Sequence, residues 1–217
     1  MAAPPDLPPE MAALVDVLRH RKAIAVIVIL ILNVLVYLAM SVTGGTDSLE
    51  NLIRFGAKYN PLIAQGEYWR LLTCIFLHIG FLHLLFNSLA LYAFGRDLEK
   101  IYGSGRFVLM YLASGVVGSL ASYAFSTKVS AGASGAIFGL VGLSLVFGFR
   151  YRSAIPPQLK SRFGTGVLPV LLYNIIFGLG SASHIDNYAH LGGLAAGILL
   201  GLAVPAAFDH FEDPPMR

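Results

Sequence analysis

The residues best able to do chemistry in this 217-residue chain are a serine, several histidines and an asparagine set in apolar sequence. Ser134 lies in Ala131-Gly132-Ala133-Ser134-Gly135, which reads as the opening of a helix. A helix N-terminus presents free N–H groups and a positive dipole end. A serine there is either a plain N-cap or a nucleophile whose own backbone N–H helps to stabilise an oxyanion. His83 and Asn87 are four residues apart, one turn along one helix face. An imidazole and a carboxamide so placed form a donor pair able to hold a negatively charged oxygen, or else a structural hydrogen-bonded pair between packed helices.

His190 heads a stripe of small residues, Gly193, Gly197 and Gly201, and Ser134 is followed by Gly135, Gly139 and Gly142. Each set falls on one helix face, and small residues at these spacings let helices approach closely in a membrane. Activation of a serine by an imidazole requires contact at about 2.6–3.2 Å, which long side chains at the crossing would prevent. The two glycine stripes therefore point to a Ser134–His190 pair, with ordinary tight packing as the alternative. Asp186, four residues before His190, is either a loop or N-cap residue or a third member that orients the imidazole. A metal site built from His78, His83, His184, Asp186 and His190 is a further alternative. It lacks an HExxH motif and leaves the glycine-flanked serine without a role.

The elements that must position these groups follow from composition. Hydrophobic residues make up 56% of the chain and charged residues 12%, half the share of a soluble domain, and the mean hydropathy is +0.71. A water-soluble enzyme and a disordered chain are both excluded. The single cysteine, Cys74, excludes a disulfide framework and a cysteine-based zinc site. Six apolar segments approach the roughly 20 residues needed to cross a bilayer as helix. They run over about 23–40, 71–94, 107–125, 133–149, 167–179 and 189–208, and they lack the strict alternation of barrel strands. If the second helix starts near Gly80 rather than Leu71, His83 and Asn87 share the depth of Ser134 and His190.

With the N-terminus inside, eleven of the fifteen basic residues fall on the cytoplasmic side, which predicts N-in/C-in topology. The same pattern accounts for the pI near 9 without any nucleic-acid partner. The first segment follows a Pro-rich stretch and is expected to be a retained signal anchor rather than a cleaved peptide. The expected organisation is a cytoplasmic segment 1–22, a six-helix membrane domain 23–208 and a cytoplasmic tail 209–217. The connection 41–70, with Tyr59, Tyr68 and Trp69, suits the membrane–water interface. No seventh span, internal repeat or cytosolic domain is expected, and the absence of an Arg- and Ser-rich transit peptide favours a bacterial plasma membrane.

The chain resembles the rhomboid family of intramembrane serine proteases. The resemblance is carried by Trp69-Arg70, by His78, His83 and Asn87 in the pattern HxxxxHxxxN, by Glu99, Gly103 and Phe107, by Gly132-Ala-Ser134-Gly135, and by Ala189-His190-x-x-Gly193-x-x-x-Gly197. It implies an all-α membrane protein with a six-transmembrane-helix rhomboid-like bundle. It also implies Ser134 as nucleophile, His190 as general base in a dyad, and His83, Asn87 and the Ser134 N–H as the oxyanion site. By similarity His78 organises a water-accessible entrance, while Trp69-Arg70 and Glu99 anchor the first loop. Gly132, Gly135, Phe138, Gly193 and Gly197 are expected to support the site. Phe138 stands where many bacterial relatives carry a tyrosine on the catalytic imidazole, so the His190 environment is expected to differ while activity is retained. The resemblance implies no cofactor and no metal. The partners it implies are membrane-protein substrates within a lipid bilayer, cut in their transmembrane segments. The alternative is a proteolytically inactive rhomboid-like protein that binds transmembrane helices.

Overall fold

The structure, a computed structural model, describes residues 7–168 and 185–207. The regular structure among these residues is helical, with one isolated backbone bridge between Lys58 and Ser130. The helices are α1 (Pro9–His20), α2 (Ile24–Thr43), α3 (Leu49–Phe55), α4 (Asn60–Ala64), α5 (Arg70–Thr73), α6 (Gly80–Tyr102), α7 (Ser104–Phe125), α8 (Ser134–Arg150) and α9 (Asn187–Ala203). The fifth apolar segment, from 169 onward, and His184 lie outside the described residues, as does the tail beyond 207.

Among the described residues two helices, α2 and α7, are long and apolar enough to cross a membrane. The second apolar segment is not one rod. Arg70–Phe76 and Gly80–Tyr102 meet at a 92° bend, and together they pass the same test as a broken span. Leu77 is extended and Gly80 has φ +72°, a conformation that glycine adopts without steric cost. Helix α6 therefore begins at Gly80, the later of the two starts left open by the sequence, and the apolar segment 71–94 is broken rather than continuous. The sixth segment, expected to reach Phe208, ends at Ala203. Pro205 follows at once, and its ring forces Val204 out of the helical region. With 17 residues each, α8 and α9 are about 26 Å long, a little less than a hydrocarbon core.

The segment before the first span is not featureless. Pro9 opens α1 at a position where proline's missing N–H costs nothing, Glu10 lies in the first turn and Arg19 in the last, and Leu14 and Val17 are buried. Lys100 Nζ donates to the Leu18 carbonyl at 2.6 Å and so holds the end of α1 against α6.

The core joins α2, α6, α7 and α8 through Val26, Ile29, Leu91, Leu98, Phe107 and Tyr111, among others. Glu99 is the buried anchor of this junction. Its two carboxylate oxygens accept from the Ala25 and Val26 N–H groups at 2.7 and 2.8 Å, and the Ser104 hydroxyl donates to the first at 2.6 Å. One carboxylate thus satisfies free donors at the start of α2 and ties them to the α6–α7 turn.

The first long connection is folded and internally bonded. The Arg70 guanidinium, 4% exposed, donates to the Ile53 carbonyl at 2.6 Å and pairs with Glu67 at the same distance. It also sits 4.6 Å from the centre of the half-exposed Trp69 ring. Lys58 is fully buried, and its ammonium donates to the Ser126 and Lys128 carbonyls at 2.8 and 2.9 Å. The connection is thereby fastened to the end of α7 and to the stretch that leads into Ser134.

Candidate functional site

Ser134 is the first residue of α8, and the cap position belongs to Ala133, which makes no side-chain capping bond. The plain N-cap reading of this serine is therefore not realised. The first intrahelical bond of this turn runs from the Ile137 N–H to the Ala133 carbonyl at 3.0 Å. The preceding N–H groups lie in the first turn, where a helix has no internal acceptor to offer.

The approach to Ser134 is held by three backbone bonds. Lys58 and Ser130 exchange N–H···O bonds at 2.9 and 3.1 Å, and the Gly132 N–H donates to the Cys74 carbonyl at 2.9 Å. Gly132 has φ +137°, which disfavours any side chain. Space demands glycine as well. A Cβ there would lie 2.8 Å from His83 Nε2 and 3.8 Å from Ser134 Oγ. The imidazole of His83 and the hydroxyl of Ser134 thus flank the bare face of Gly132.

The other ring nitrogen of His83 fixes its proton. The Ile79 N–H donates to His83 Nδ1 at 3.2 Å, so Nδ1 is an acceptor and a neutral ring carries its hydrogen on Nε2. A donor is thereby presented on the Gly132 and Ser134 side. The bond exists because the chain breaks before Gly80. A continuous helix would have bonded the Ile79 N–H to its own backbone. Asn87 lies one turn along, and its amide donates to the His83 carbonyl at 2.9 Å. A second N–H of that amide remains for another acceptor. His78 is fully buried and meets the His83 ring edge-on at 5.3 Å between centroids. It packs against His83.

His190 projects from the first turns of α9 and is 4% exposed. Its ring stacks on Phe138 with 4.1 Å between centroids and 11° between planes. Phe138 is one turn after Ser134 on α8, so the imidazole lies against the helix face that carries the hydroxyl. No hydrogen bond joins Ser134 Oγ to the His190 ring among the described residues.

The glycine stripes meet as the spacing predicts. A Cβ on Gly193 would run into the Gly135 carbonyl, and one on Gly197 into the Gly139 carbonyl. A Cβ on Gly142 would be 2.5 Å from the Leu194 carbonyl oxygen. Backbone packs on backbone along α8 and α9, and that approach brings His190 to the Ser134 turn.

Asp186 does not bond the imidazole. Its carboxylate caps α9 by accepting the Ala189 N–H at 3.1 Å, and it accepts the Ser122 hydroxyl in a short hydrogen bond. Sequence reasoning foresaw the cap but not Ser122, which is 64 residues away and fully buried. Among the described residues no group of three or more His, Cys, Asp or Glu side chains is placed to hold a metal ion.

Residues 65–206 match the rhomboid domain family. This chain belongs to the rhomboid family. It is 47% identical over 181 residues to the rhomboid protease GluP of Bacillus subtilis (strain 168), covering 82% of this chain and 35% of that protein. It is 40% identical over 164 residues to RHOMBOID-like protein 4 of Arabidopsis thaliana, covering 74% and 40% of the two chains. With Rhomboid-like protease 1 of Toxoplasma gondii it shares 36% identity over 159 residues, covering 70% and 52%. The rhomboid chain described here thus spans between about a third and a half of the length of these relatives. Family membership and the apolar helices together make it an integral membrane protein.

Proposed function

We propose that this rhomboid is an intramembrane serine endopeptidase that cuts transmembrane segments of other membrane proteins with a Ser134–His190 dyad. The observation that carries the reading is the convergence of three helices on one turn. His83 of α6 and Ser134 of α8 flank Gly132, and His190 of α9 stacks on Phe138, one turn beyond Ser134. The proposed frame is a six-span bundle over 23–208 with both termini, 1–22 and 209–217, in the cytoplasm, set in a bacterial plasma membrane. The site then lies in the outer half of the bilayer.

In this mechanism Ser134 Oγ attacks a substrate carbonyl carbon while His190 takes the hydroxyl proton. The carbonyl oxygen becomes an oxyanion, held by His83 Nε2–H, by Asn87 and by the Ser134 N–H. Collapse of this intermediate breaks the peptide C–N bond, and His190 returns its proton to the leaving amine. Water, deprotonated by His190, then hydrolyses the acyl-enzyme and restores Ser134. A peptide in regular helix keeps its carbonyls bonded and shielded, so the substrates are segments that unwind locally at Gly, Pro or other helix-weakening residues.

The test is incubation of detergent-purified wild type and Ser134→Ala with a single-pass membrane substrate, together with labelling by a fluorophosphonate probe. Wild type should cut and label, and Ser134→Ala should do neither. Cleavage by Ser134→Ala at the wild-type rate would refute the assignment. Absence of both cleavage and labelling in the wild type would favour a rhomboid-like protein that only binds transmembrane helices.

A further inference from the structure

We infer that Asp186, together with Ser122, is a positioning pair for His190. Asp186 acts on the imidazole through the backbone of α9 and not as the third member of a triad. The inference rests on the proposed dyad.

Both carboxylate oxygens of Asp186 are occupied. Oδ1 accepts from the Ala189 N–H and Oδ2 from the Ser122 hydroxyl. The first bond closes the opening turn of α9, and the second fastens that turn to α7. His190 is bound into the same turn, since its own N–H donates to the Asp186 carbonyl at 3.1 Å. The five residues from Asp186 to His190 therefore move as one unit, joined to α7 by the Ser122–Asp186 bond and by the stacking of Tyr188 on Phe125.

The neighbouring contacts explain why this bond sets a position. α9 passes over glycines on both adjoining helices at this level. A Cβ on Gly118 of α7 would be 2.6 Å from the Ala189 carbonyl oxygen, and one on Gly135 of α8 would be 3.3 Å from it. The glycines permit close approach but fix no register of their own, and the Phe125–Tyr188 stack at this level is made by two exposed rings. The Ser122–Asp186 bond supplies that register where the general base is carried. The far side of α7 is held in turn. Lys58 donates to the Ser126 carbonyl, and Asn60 Nδ2 donates to the Tyr123 and Ser126 carbonyls at 3.1 Å each. A chain of bonded groups thus runs from the first long connection through the end of α7 to the turn of His190.

The test measures kcat and KM on a single-pass membrane substrate, with the folded fraction of each variant determined separately. Asp186→Asn keeps an acceptor for the Ala189 N–H and gains a donor toward Ser122, so its kcat should stay within about threefold of wild type. A triad acid would behave otherwise, since the same exchange there costs about 10⁴-fold. Asp186→Ala should lower kcat per folded molecule by about 10- to 100-fold, the cost expected of a small misplacement of a catalytic group, with KM little changed. Ser122→Ala should share part of that loss, and the double variant should be no worse than Asp186→Ala alone.

Asp186→Ser retains a capping hydroxyl but is too short to reach Ser122, so it should match Ser122→Ala and serves if Asp186→Ala does not fold. Wild-type kcat in both Asp186→Ser and Ser122→Ala overturns the inference. A collapse of Asp186→Asn to the level of Ser134→Ala overturns it in favour of a triad. Full additivity in the double variant overturns the pairing. Cleavage by Ser134→Ala, run in parallel, would instead refute the dyad itself and leaves the two failures distinguishable.

Discussion

The phenyl ring of Phe138 lies flat against the imidazole of His190, with 4.1 Å between ring centres and only 11° between their planes. The contact joins α8 to α9 one turn past Ser134, and it holds the ring of the proposed base in place without donating or accepting a proton. A hydroxyl at the ring edge is not needed for the stacking itself. Phe138→Tyr should therefore keep kcat close to wild type, whereas Phe138→Ala should lose about 2- to 10-fold, the worth of an aromatic pair beyond simple burial. Turnover of a membrane substrate by the two variants checks this. Equal activity in Phe138→Ala and wild type would show that the stack does not hold the base.

Gly132 is confined twice, by its φ of +137° and by the His83 ring. Gly132→Ala should push the imidazole aside and remove one donor of the proposed oxyanion site. A loss of about 10²-fold in kcat is expected, the scale of one such donor elsewhere. The melting temperature should change less than kcat implies, because the displaced ring lies at the site and not in the core. Measured kcat and thermal melts of the same preparation decide the matter.

Gly197 answers a different question. Its missing side chain admits the Gly139 carbonyl, which is backbone and cannot swing away. Gly197→Ala should separate α8 from α9 and destabilise the bundle by about 1–3 kcal/mol, the usual cost of overpacking. Activity should fall with it, since His190 rides on the same helix. A wild-type melting curve for this variant would mean that the two backbones are not in contact.

Lys58 predicts a pH effect. Burial lowers its ammonium pKa below the ordinary 10.5, partly opposed by the carboxylate of Asp186 and by Cys74. Between that lowered value and 10.5 the unfolded chain holds more protons than the folded one, so stability rises with pH across this window. Lys58→Met removes the contribution, at the cost of two carbonyl partners. The difference in melting temperature between wild type and Lys58→Met should grow in favour of wild type as pH rises toward 10.5. A constant or shrinking difference would contradict a desolvated ammonium.

The parts of this site that were legible in the sequence are those written in local spacing. Ser134 between glycines, His83 and Asn87 four apart, and the glycine ladder below His190 each sit on one helix, where periodicity reports the face directly. The meeting of α8 and α9 could be read because close approach needs small residues on both partners. Hydropathy, by contrast, could not see the break before Gly80, since Leu77, Ile79 and Phe81 are apolar on either side of it. It also overran the end of α9, where Val204-Pro205 and not polarity stops the helix. Helix α1 was hidden by its prolines, although Pro9, Glu10 and Arg19 form an ordinary start and finish. Ser122 gave no signal at all. A buried serine in an apolar helix looks the same whether or not a carboxylate 64 positions later finds it.

The backbone seam between α8 and α9 bears on more than the placement of one imidazole. A hydrolase embedded in a permeability barrier must let its second substrate, water, come in from one compartment without opening a path to the other. Beneath the Ser134 turn the two helices touch main chain to main chain from Gly135 and Gly193 to Gly142 and Leu194. In the proposed protease a seam this close narrows the room for a hydrogen-bonded file of solvent, and so would act against proton leak while the chemistry proceeds above it.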